Sequence, residues 1–247
     1  MNTGYIAVMD SGIGGLFTLK RLIEEMPNER FLYFGDNLNA PYGDKPVSLL
    51  NILTLENVRR VMTHGVKAVV FACNTLAVNV LGNVKRLVPV PVFGVYPPTE
   101  KTAAEGKRAV LFCTERTAER FKDSENLKVV NLSRLAKDVE KNAADLSAVN
   151  LKAHLDSSLK YRKIISENYR FDTVILGCTH YGLIEKQFFD HFCPRDIISG
   201  DAFTARQVKE FLRISGNLAN NKEITVDFIG DCAEKNRKIF LKVVNKP

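Results

Sequence analysis

The chain has 247 residues, enough for two compact domains, and its apolar (45%) and charged (26%) fractions are ordinary for a globular protein. It contains no run of about 18 apolar residues, and residues 1–10 lack the features of a signal peptide. We therefore expect a cytoplasmic protein with no membrane partner. The net charge of +7 comes from Lys and Arg residues interspersed with acids, as in KRLIEEMPNER (20–30), so we expect no nucleic-acid partner.

In chain order, apolar runs bounded by turn residues alternate with amphipathic stretches, a pattern typical of α/β proteins with mostly parallel sheets. The elements predicted in the first part are strands at Tyr5–Met9, Phe31–Phe34, Ala68–Ala72 and Val90–Val95, and helices at about 16–26 and 47–64. Pro97 and Pro98 then stop regular structure and predict a linker.

The pattern repeats after the linker. RAVLFCT (108–114) resembles YIAVMDS (5–11), and DTVILGCTHYG (172–182) resembles KAVVFACNTLA (67–77). These internal likenesses predict two related α/β halves.

The end of the chain is predicted to return to the first half. It contains a strand at Ile224–Ile229 and a helical pattern over 232–243, whose apolar face must be buried against a sheet. The predicted domains are therefore 1–97 plus 205–247, and 98–204.

The five cysteines show neither disulfide spacing nor a CxxC pair, so we expect no disulfide framework and no zinc site. Each is then either a small buried apolar side chain or a reactive thiol. Cys113, Cys193 and Cys232 are interpreted as structural.

Cys73 and Cys178 occupy matching positions in the repeat, at the carboxyl ends of strands, where open parallel sheets bind ligands. If these edges of the two halves face each other, the two cysteines lie on opposite walls of one cleft. Inverting a stereocentre at Cα requires a base on one face and an acid on the other, with the roles exchanged in the reverse direction. Two thiols suit that chemistry near neutral pH.

Six motifs resemble, in order and spacing, those of the glutamate racemases within the aspartate/glutamate racemase family. They are DSGIGG (10–15), YFGD (33–36), PYG (41–43), ACNT (72–75), GCTHY (177–181) and SGDA (199–202). The resemblance covers nearly the whole chain. It implies two similar α/β domains facing a central cleft and an isomerase that interconverts L- and D-glutamate for peptidoglycan synthesis. It also implies no cofactor and no metal, glutamate as the small-molecule partner, and a homodimer.

The resemblance also implies the site residues. Cys73 and Cys178 are the acid/base pair, and Asp10 and His180 assist them. The implied substrate contacts are Ser11, Tyr42, Gly43, Asn74, Thr75, Thr114, Thr117 and Thr179. Glu140 falls roughly where the family has an acid, but it is not included because the alignment over 126–150 is loose.

The glycine-rich loop SGIGG (11–15) precedes a helix, so we expect its amides to receive a carboxylate. The chain departs from the family where GCTHY is followed by Gly182 rather than proline. We expect Gly182 to loosen the loop that carries Thr179 and His180, at a cost in rate.

Three alternatives stay open. The first is an aspartate racemase or another acidic amino-acid racemase, and the second is a catalytically weak homologue that binds an amino acid or a protein. A thiol- or zinc-dependent hydrolase is the third, although the two-fold pattern supplies neither a third ligand nor an acyl-enzyme geometry.

Overall fold

A computed structural model of the chain describes residues 4–219 and 224–244. The strands in these ranges are β1 (Tyr5–Asp10), β2 (Arg30–Gly35), β3 (Val66–Phe71), β4 (Val92–Gly94), β5 (Ala109–Cys113), β6 (Leu127–Asn131), β7 (Thr173–Gly177), β8 (Asp196–Ser199) and β9 (Thr225–Ile229). The first seven helices are α1 (Gly15–Glu25), α2 (Val47–Met62), α3 (Asn74–Asn79), α4 (Leu81–Val84), α5 (Thr99–Ala104), α6 (Glu115–Ala118) and α7 (Ser133–Lys141). The others are α8 (Leu151–Ser157), α9 (Leu159–Ser166), α10 (Thr179–Gly182), α11 (Glu185–Phe192), α12 (Asp201–Ile214) and α13 (Ala233–Val244), with a short 3-10 turn at Leu146–Ala148.

The strands form two parallel sheets, one ordered β4-β3-β1-β2-β9 and the other β6-β5-β7-β8. Read from the other edge, the second sheet is β8-β7-β5-β6, which repeats the order β4-β3-β1-β2 of the first. The predicted α/β class and the internal repeat are therefore confirmed. β5 occupies the place of β1, and β7 occupies the place of β3.

The C-terminal strand β9 joins the first sheet, as predicted, by pairing in parallel with β2 from Arg30–Thr225 to Phe34–Ile229. The domain boundaries near residues 97 and 205 stay a prediction.

The local sequence explains the central elements. All six residues of β3, VKAVVF, are buried, as expected for a parallel strand covered on both faces. In α1, the spacing of Leu16, Leu19 and Leu22 places all three on one buried face. The strand predicted over Val90–Val95 is shorter, since Pro91 has no N–H to contribute to the ladder.

The helices α1, α10 and α12 connect the two sheets. One continuous apolar cluster contains Leu16 of α1, Tyr181 of α10 and Val208 of α12, together with side chains from both sheets, such as Val8 and Val110. Within the described ranges, every helix is too short or too polar to cross a membrane.

Candidate active site

The carboxyl ends of the central strands meet at a cavity between the sheets. The lining residues that follow strands of the first sheet are Ser11, Pro41, Tyr42, Gly43, Cys73, Asn74 and Thr75, and those from the second half are Thr114, Ala136, Cys178, Thr179 and His180. Ten of the twelve predicted site residues line the cavity. The other two, Asp10 and Thr117, lie directly behind lining residues and are buried.

Cys73 follows β3 and is 5% exposed. Burial, followed by the negative charge of Asp10, raises the pKa of Cys73 to about 12. The hydroxyl of Ser11 is hydrogen-bonded to this thiol, and this hydrogen bond by itself lowers the pKa of Cys73. At neutral pH in the free protein, Cys73 is therefore a neutral thiol that can donate a proton.

Cys178 follows β7, and its Sγ lies 3.8 Å from Nδ1 of His180. The other ring nitrogen of His180, Nε2, is 2.8 Å from Oε2 of Glu140. Burial by itself lowers the pKa of His180, but the hydrogen bonds and charges of Cys178 and Glu140 outweigh burial and raise this pKa well above its ordinary value. An imidazolium here would stabilise a thiolate at Cys178.

Glu140 on α7 was left out of the predicted site, yet it is in direct contact with His180. Burial raises its pKa, but hydrogen bonds from His180, the Ile13 amide and Asn37 prevail and hold the pKa of Glu140 below its ordinary value. The only signal for Glu140 in the sequence was that it falls roughly where the family has an acid. Its hydrogen-bond partners are far away along the chain, so no local pattern indicates them.

Two amides of the glycine-rich loop donate hydrogen bonds to carboxylates of the protein itself. The Gly12 amide donates to Oδ1 of Asp10 (2.8 Å), and the Ile13 amide donates to Oε2 of Glu140 (2.9 Å). We expected these amides to receive a substrate carboxylate, whereas in the structure two of them donate to carboxylates of the protein itself. A Cβ on Gly12 would lie 2.8 Å from Cδ of Glu140, so a side chain at this position would displace the carboxylate.

Asp10 links this loop to the second half. Its Oδ2 accepts a hydrogen bond of 3.1 Å from the hydroxyl of Thr179. Burial raises the pKa of Asp10, although the charge of His180 and the Gly12 amide act against this shift. Asp10 therefore acts on Cys73 through its charge and contacts Thr179, the residue after Cys178.

Three threonine hydroxyls form a polar cluster across the cleft. Oγ1 of Thr75 is 3.0 Å from that of Thr114 and 3.5 Å from that of Thr117, and the Thr114 and Thr117 hydroxyls are 3.3 Å apart. Because hydroxyl groups both donate and accept, this cluster suits a carboxylate that replaces their mutual hydrogen bonds.

The remaining predicted contacts are held in place by the first half. The Tyr42 hydroxyl donates to Oδ2 of Asp36 (2.5 Å), so Tyr42 presents its ring to the cavity. The side-chain amide of Asn74 donates to the Val95 carbonyl (2.8 Å). A Cβ on Gly43 would lie 2.6 Å from Cβ of Thr114, which shows how closely the loop after β2 approaches the second half.

Gly182, which we expected to loosen its loop, is tightly packed in the structure. The residue is buried, and a Cβ built on it would lie 2.7 Å from Cγ of Phe17. The aromatic ring therefore packs against the glycine backbone and fills the space that a side chain would occupy.

The described residues contain no group of three His, Cys, Asp or Glu side chains arranged to hold a metal ion. The chemistry available at the cavity is that of two thiols, each with its own charged neighbours, and a set of neutral hydrogen-bonding groups.

Comparison with known proteins places this chain among the racemases. Residues 40–208 match the Asp/Glu/Hydantoin racemase family. The chain is 32% identical over 232 residues to a glutamate racemase of Staphylococcus carnosus, covering 87% of this chain and 84% of that protein. Its fold is similar to that of a glutamate racemase from Thermus thermophilus in complex with β-chloro-D-alanine, with a TM-score of 0.78, 28% identity, and coverage of 99% and 94% of the two chains. The glutamate racemase isoform RacE1 of Bacillus anthracis gives a TM-score of 0.77 at 27% identity, with coverage of 92% and 88%.

Proposed function

The chain belongs to the Asp/Glu/hydantoin racemase family, and from this premise we propose that it is a glutamate racemase that interconverts L- and D-glutamate. The observation that carries the proposal is the pair of buried cysteines, Cys73 and Cys178, at equivalent strand ends of two repeated sheets around one cavity. The D-glutamate formed would serve peptidoglycan synthesis, which is the role of this enzyme in the cytoplasm.

In the proposed reaction, one thiolate removes the Cα proton and the opposite thiol delivers a proton to the other face. Cys178, beside the His180 imidazolium, starts as the base in one direction, and Cys73 starts as the neutral acid. After the turnover these protonation states are exchanged, so the reverse reaction uses the same groups in opposite roles. Neither role requires a cofactor.

Substrate binding is assigned to neutral groups. The cavity wall contains one basic side chain among the residues described, His180. We therefore assign the two carboxylates of glutamate to the side chains of Ser11, Asn74, Thr75, Thr114, Thr117 and Thr179. Asp10 is assigned to orient the ammonium group, and Tyr42 and Gly43 to close the wall.

A homodimer is part of this proposal. The proposal is supported by large apolar side chains that are exposed and that a second subunit would cover. They are Phe203 (52% exposed), Phe211 (41%) and Ile214 (73%) on α12, and Tyr96 (45%) beside the edge strand β4. Sedimentation equilibrium would test for the dimer, and a monomer at all concentrations would contradict it.

The function is tested by incubating the purified protein, dialysed against EDTA, with L-glutamate, D-glutamate or L-aspartate, and following optical rotation. We expect both glutamate enantiomers to racemise. Preference for aspartate would favour the related acidic amino-acid racemase. Loss of activity that only a cofactor or metal restores would contradict the two-thiol mechanism, and binding without turnover would favour an inactive homologue.

A further inference from the structure

The Phe17 ring of α1 occupies the space beside Gly182 of α10 that a side chain would need. A Cβ on Gly182 would lie 2.7 Å from Cγ and 2.8 Å from Cε1 of the Phe17 ring, which is closer than real Cβ atoms approach other atoms. Both residues are buried. The ring therefore rests on the backbone of the last residue of α10.

The short helix α10 is enclosed from two sides by the same segment of the chain. A Cβ on Gly14 would lie 2.7 Å from Nδ1 and 2.8 Å from the backbone N of His180. The segment containing Gly14 and Phe17 thus contacts α10 at His180 and at Gly182, two residues apart. A displacement of α10 at either contact would shift the backbone that carries His180.

A single helical turn does not hold its own position, because helices of this length are stabilised by packing. α10 has four residues, Thr179–Gly182. Phe17 is itself fixed, since the next residue, Thr18, donates a hydrogen bond to the buried carboxylate of Asp201 on α12. The guanidinium of Arg21 also lies over the Phe17 ring, 5.0 Å from its centroid.

We propose that Phe17 is a positioning residue for His180. The Phe17 ring packs against Gly182 and sets the position of α10. It thereby aligns the hydrogen bonds from His180 to Cys178 and Glu140. Phe17 does not line the cavity. The proposal rests on the proposed function for its catalytic consequence, and on packing alone for its effect on Cys178.

The first test is Gly182→Ala, whose methyl group would have to displace either the ring or α10. We expect kcat for glutamate to fall about 10-fold, with a smaller change in KM, because a misplaced catalytic group loses rate. Phe17→Leu combined with Gly182→Ala should recover most of this loss, because the smaller side chain leaves room for the methyl. Gly82→Ala is the matched control, since a Cβ there would meet nothing within 4 Å.

The second readout does not depend on turnover. Trypsin places each of the five cysteines in its own peptide, so alkylation by iodoacetamide at pH 7 can be followed at Cys178 alone by mass spectrometry. A thiol that loses its imidazolium partner reacts more slowly at this pH. We therefore expect the Cys178 alkylation rate to fall about 10-fold in Gly182→Ala and to recover in the double variant.

The outcomes separate the two proposals. An unchanged Cys178 alkylation rate in Gly182→Ala, or a double variant no faster than Gly182→Ala, would overturn the positioning role. If the unmodified protein does not racemise glutamate, the proposed function fails while the alkylation comparison still decides the role of Phe17. Should Gly182→Ala not fold, Phe17→Leu alone takes its place, with slower Cys178 alkylation supporting the role and an unchanged rate overturning it.

Discussion

Asp10 lies beside Cys73, whereas His180 lies beside Cys178, so the two thiols have neighbours of opposite charge character. Burial, and after it the negative charge of Asp10, raises the pKa of the Cys73 thiol. Against the effect of burial, the hydrogen bonds and charges of Cys178 and Glu140 raise the pKa of His180 well above its ordinary value. Two chemically identical side chains thus have different surroundings, as the proposed mechanism requires of an acid and a base on opposite faces of the substrate.

The first prediction concerns the thiols. Cys73→Ala and Cys178→Ala should each reduce racemisation by about 10²–10⁴-fold, the usual contribution of a general acid or base. Cys113→Ala is the control, because Cys113 ends β5 on a buried apolar face and should cost about 1 kcal/mol of stability at most. Chiral chromatography of the products measures the rates. Near-normal turnover by either site variant would refute the assignment.

The second prediction concerns Glu140. Since its carboxylate helps to raise the pKa of His180, Glu140→Gln should lower that pKa. The imidazolium is present below this pKa and lost above it, so the alkaline limb of the kcat/KM profile should move to lower pH. The stability that His180 gains from its partners should likewise disappear at lower pH.

A matched control is available on the same helix. Asp138 of α7 also pairs with a histidine, His154, at 3.1 Å, but away from the cavity. Asp138→Asn should leave the pH–rate profile in place. If both variants shifted the profile equally, the effect would belong to α7 as a whole and not to the contact between Glu140 and His180.

The sequence was sufficient to predict the cysteine pair because the two strands that precede Cys73 and Cys178 have similar residue patterns. It was insufficient for Glu140. The Ile13 amide, from which Glu140 accepts a hydrogen bond, is 127 residues away in the sequence, and α7 does not belong to any of the six motifs. The consequence of Gly182 was also out of reach, since the ring that compensates for it belongs to another helix.

Elements differ in how well they were predicted, for physical reasons. The buried central strands β1, β3, β5 and β7 are apolar runs and were all anticipated. β8 was not, because its four residues, DIIS, form a partly exposed edge too short to show a period. The helix α12 was not predicted, although the SGDA motif (199–202) stands at its start.

The position of α12 is fixed at both ends. Asp201 at its start binds the Thr18 hydroxyl of α1. Beyond its end, the Asn217 carbonyl accepts a 2.7 Å hydrogen bond from Lys67, and the Ala219 amide donates a 2.7 Å hydrogen bond to Glu29. Lys67 and Glu29 also form an ion pair of 2.7 Å, with their side chains 2% and 1% exposed.

The third prediction tests this attachment. Glu29→Gln leaves Lys67 as a buried charge without its counter-ion and should lower the free energy of unfolding by about 3–5 kcal/mol. Lys67→Met combined with Glu29→Gln should cost less than the two single changes added together. Urea denaturation measures both.

The exposed pair Arg21–Glu24 provides the comparison, since its side chains are 37% and 46% exposed. Glu24→Gln should change stability by about 1 kcal/mol or less. A Glu29→Gln protein as stable as Glu24→Gln would show that the buried pair does not hold α12 to the first sheet.

At the scale of the whole molecule, the two halves are closed over the site. Asp44, in the loop after β2, forms a 2.6 Å ion pair with Lys137 of α7, and the Arg116 amide donates to the Gly43 carbonyl. The cavity is lined by residues from both halves, so the two halves together enclose the site.

The last prediction follows from the location of one thiol in each half. In D2O both thiols exchange with solvent and carry deuterium. If Cys73 and Cys178 act on opposite faces of the substrate, every product molecule gains deuterium at Cα in its first turnover. Unreacted substrate should keep its protium early in the reaction, because the thiol that abstracts the proton is not the thiol that delivers one.

A single base that moved between the faces would behave differently, since it would return some of the original proton and leave protium in the product. Mass spectrometry of the separated enantiomers at early times, starting from L-glutamate and from D-glutamate in turn, distinguishes the two mechanisms. Substantial protium in the first product, from either direction, would exclude opposed thiols even in a protein that racemises glutamate. Full deuteration in both directions is the result expected when each half of the molecule supplies one of the two thiols.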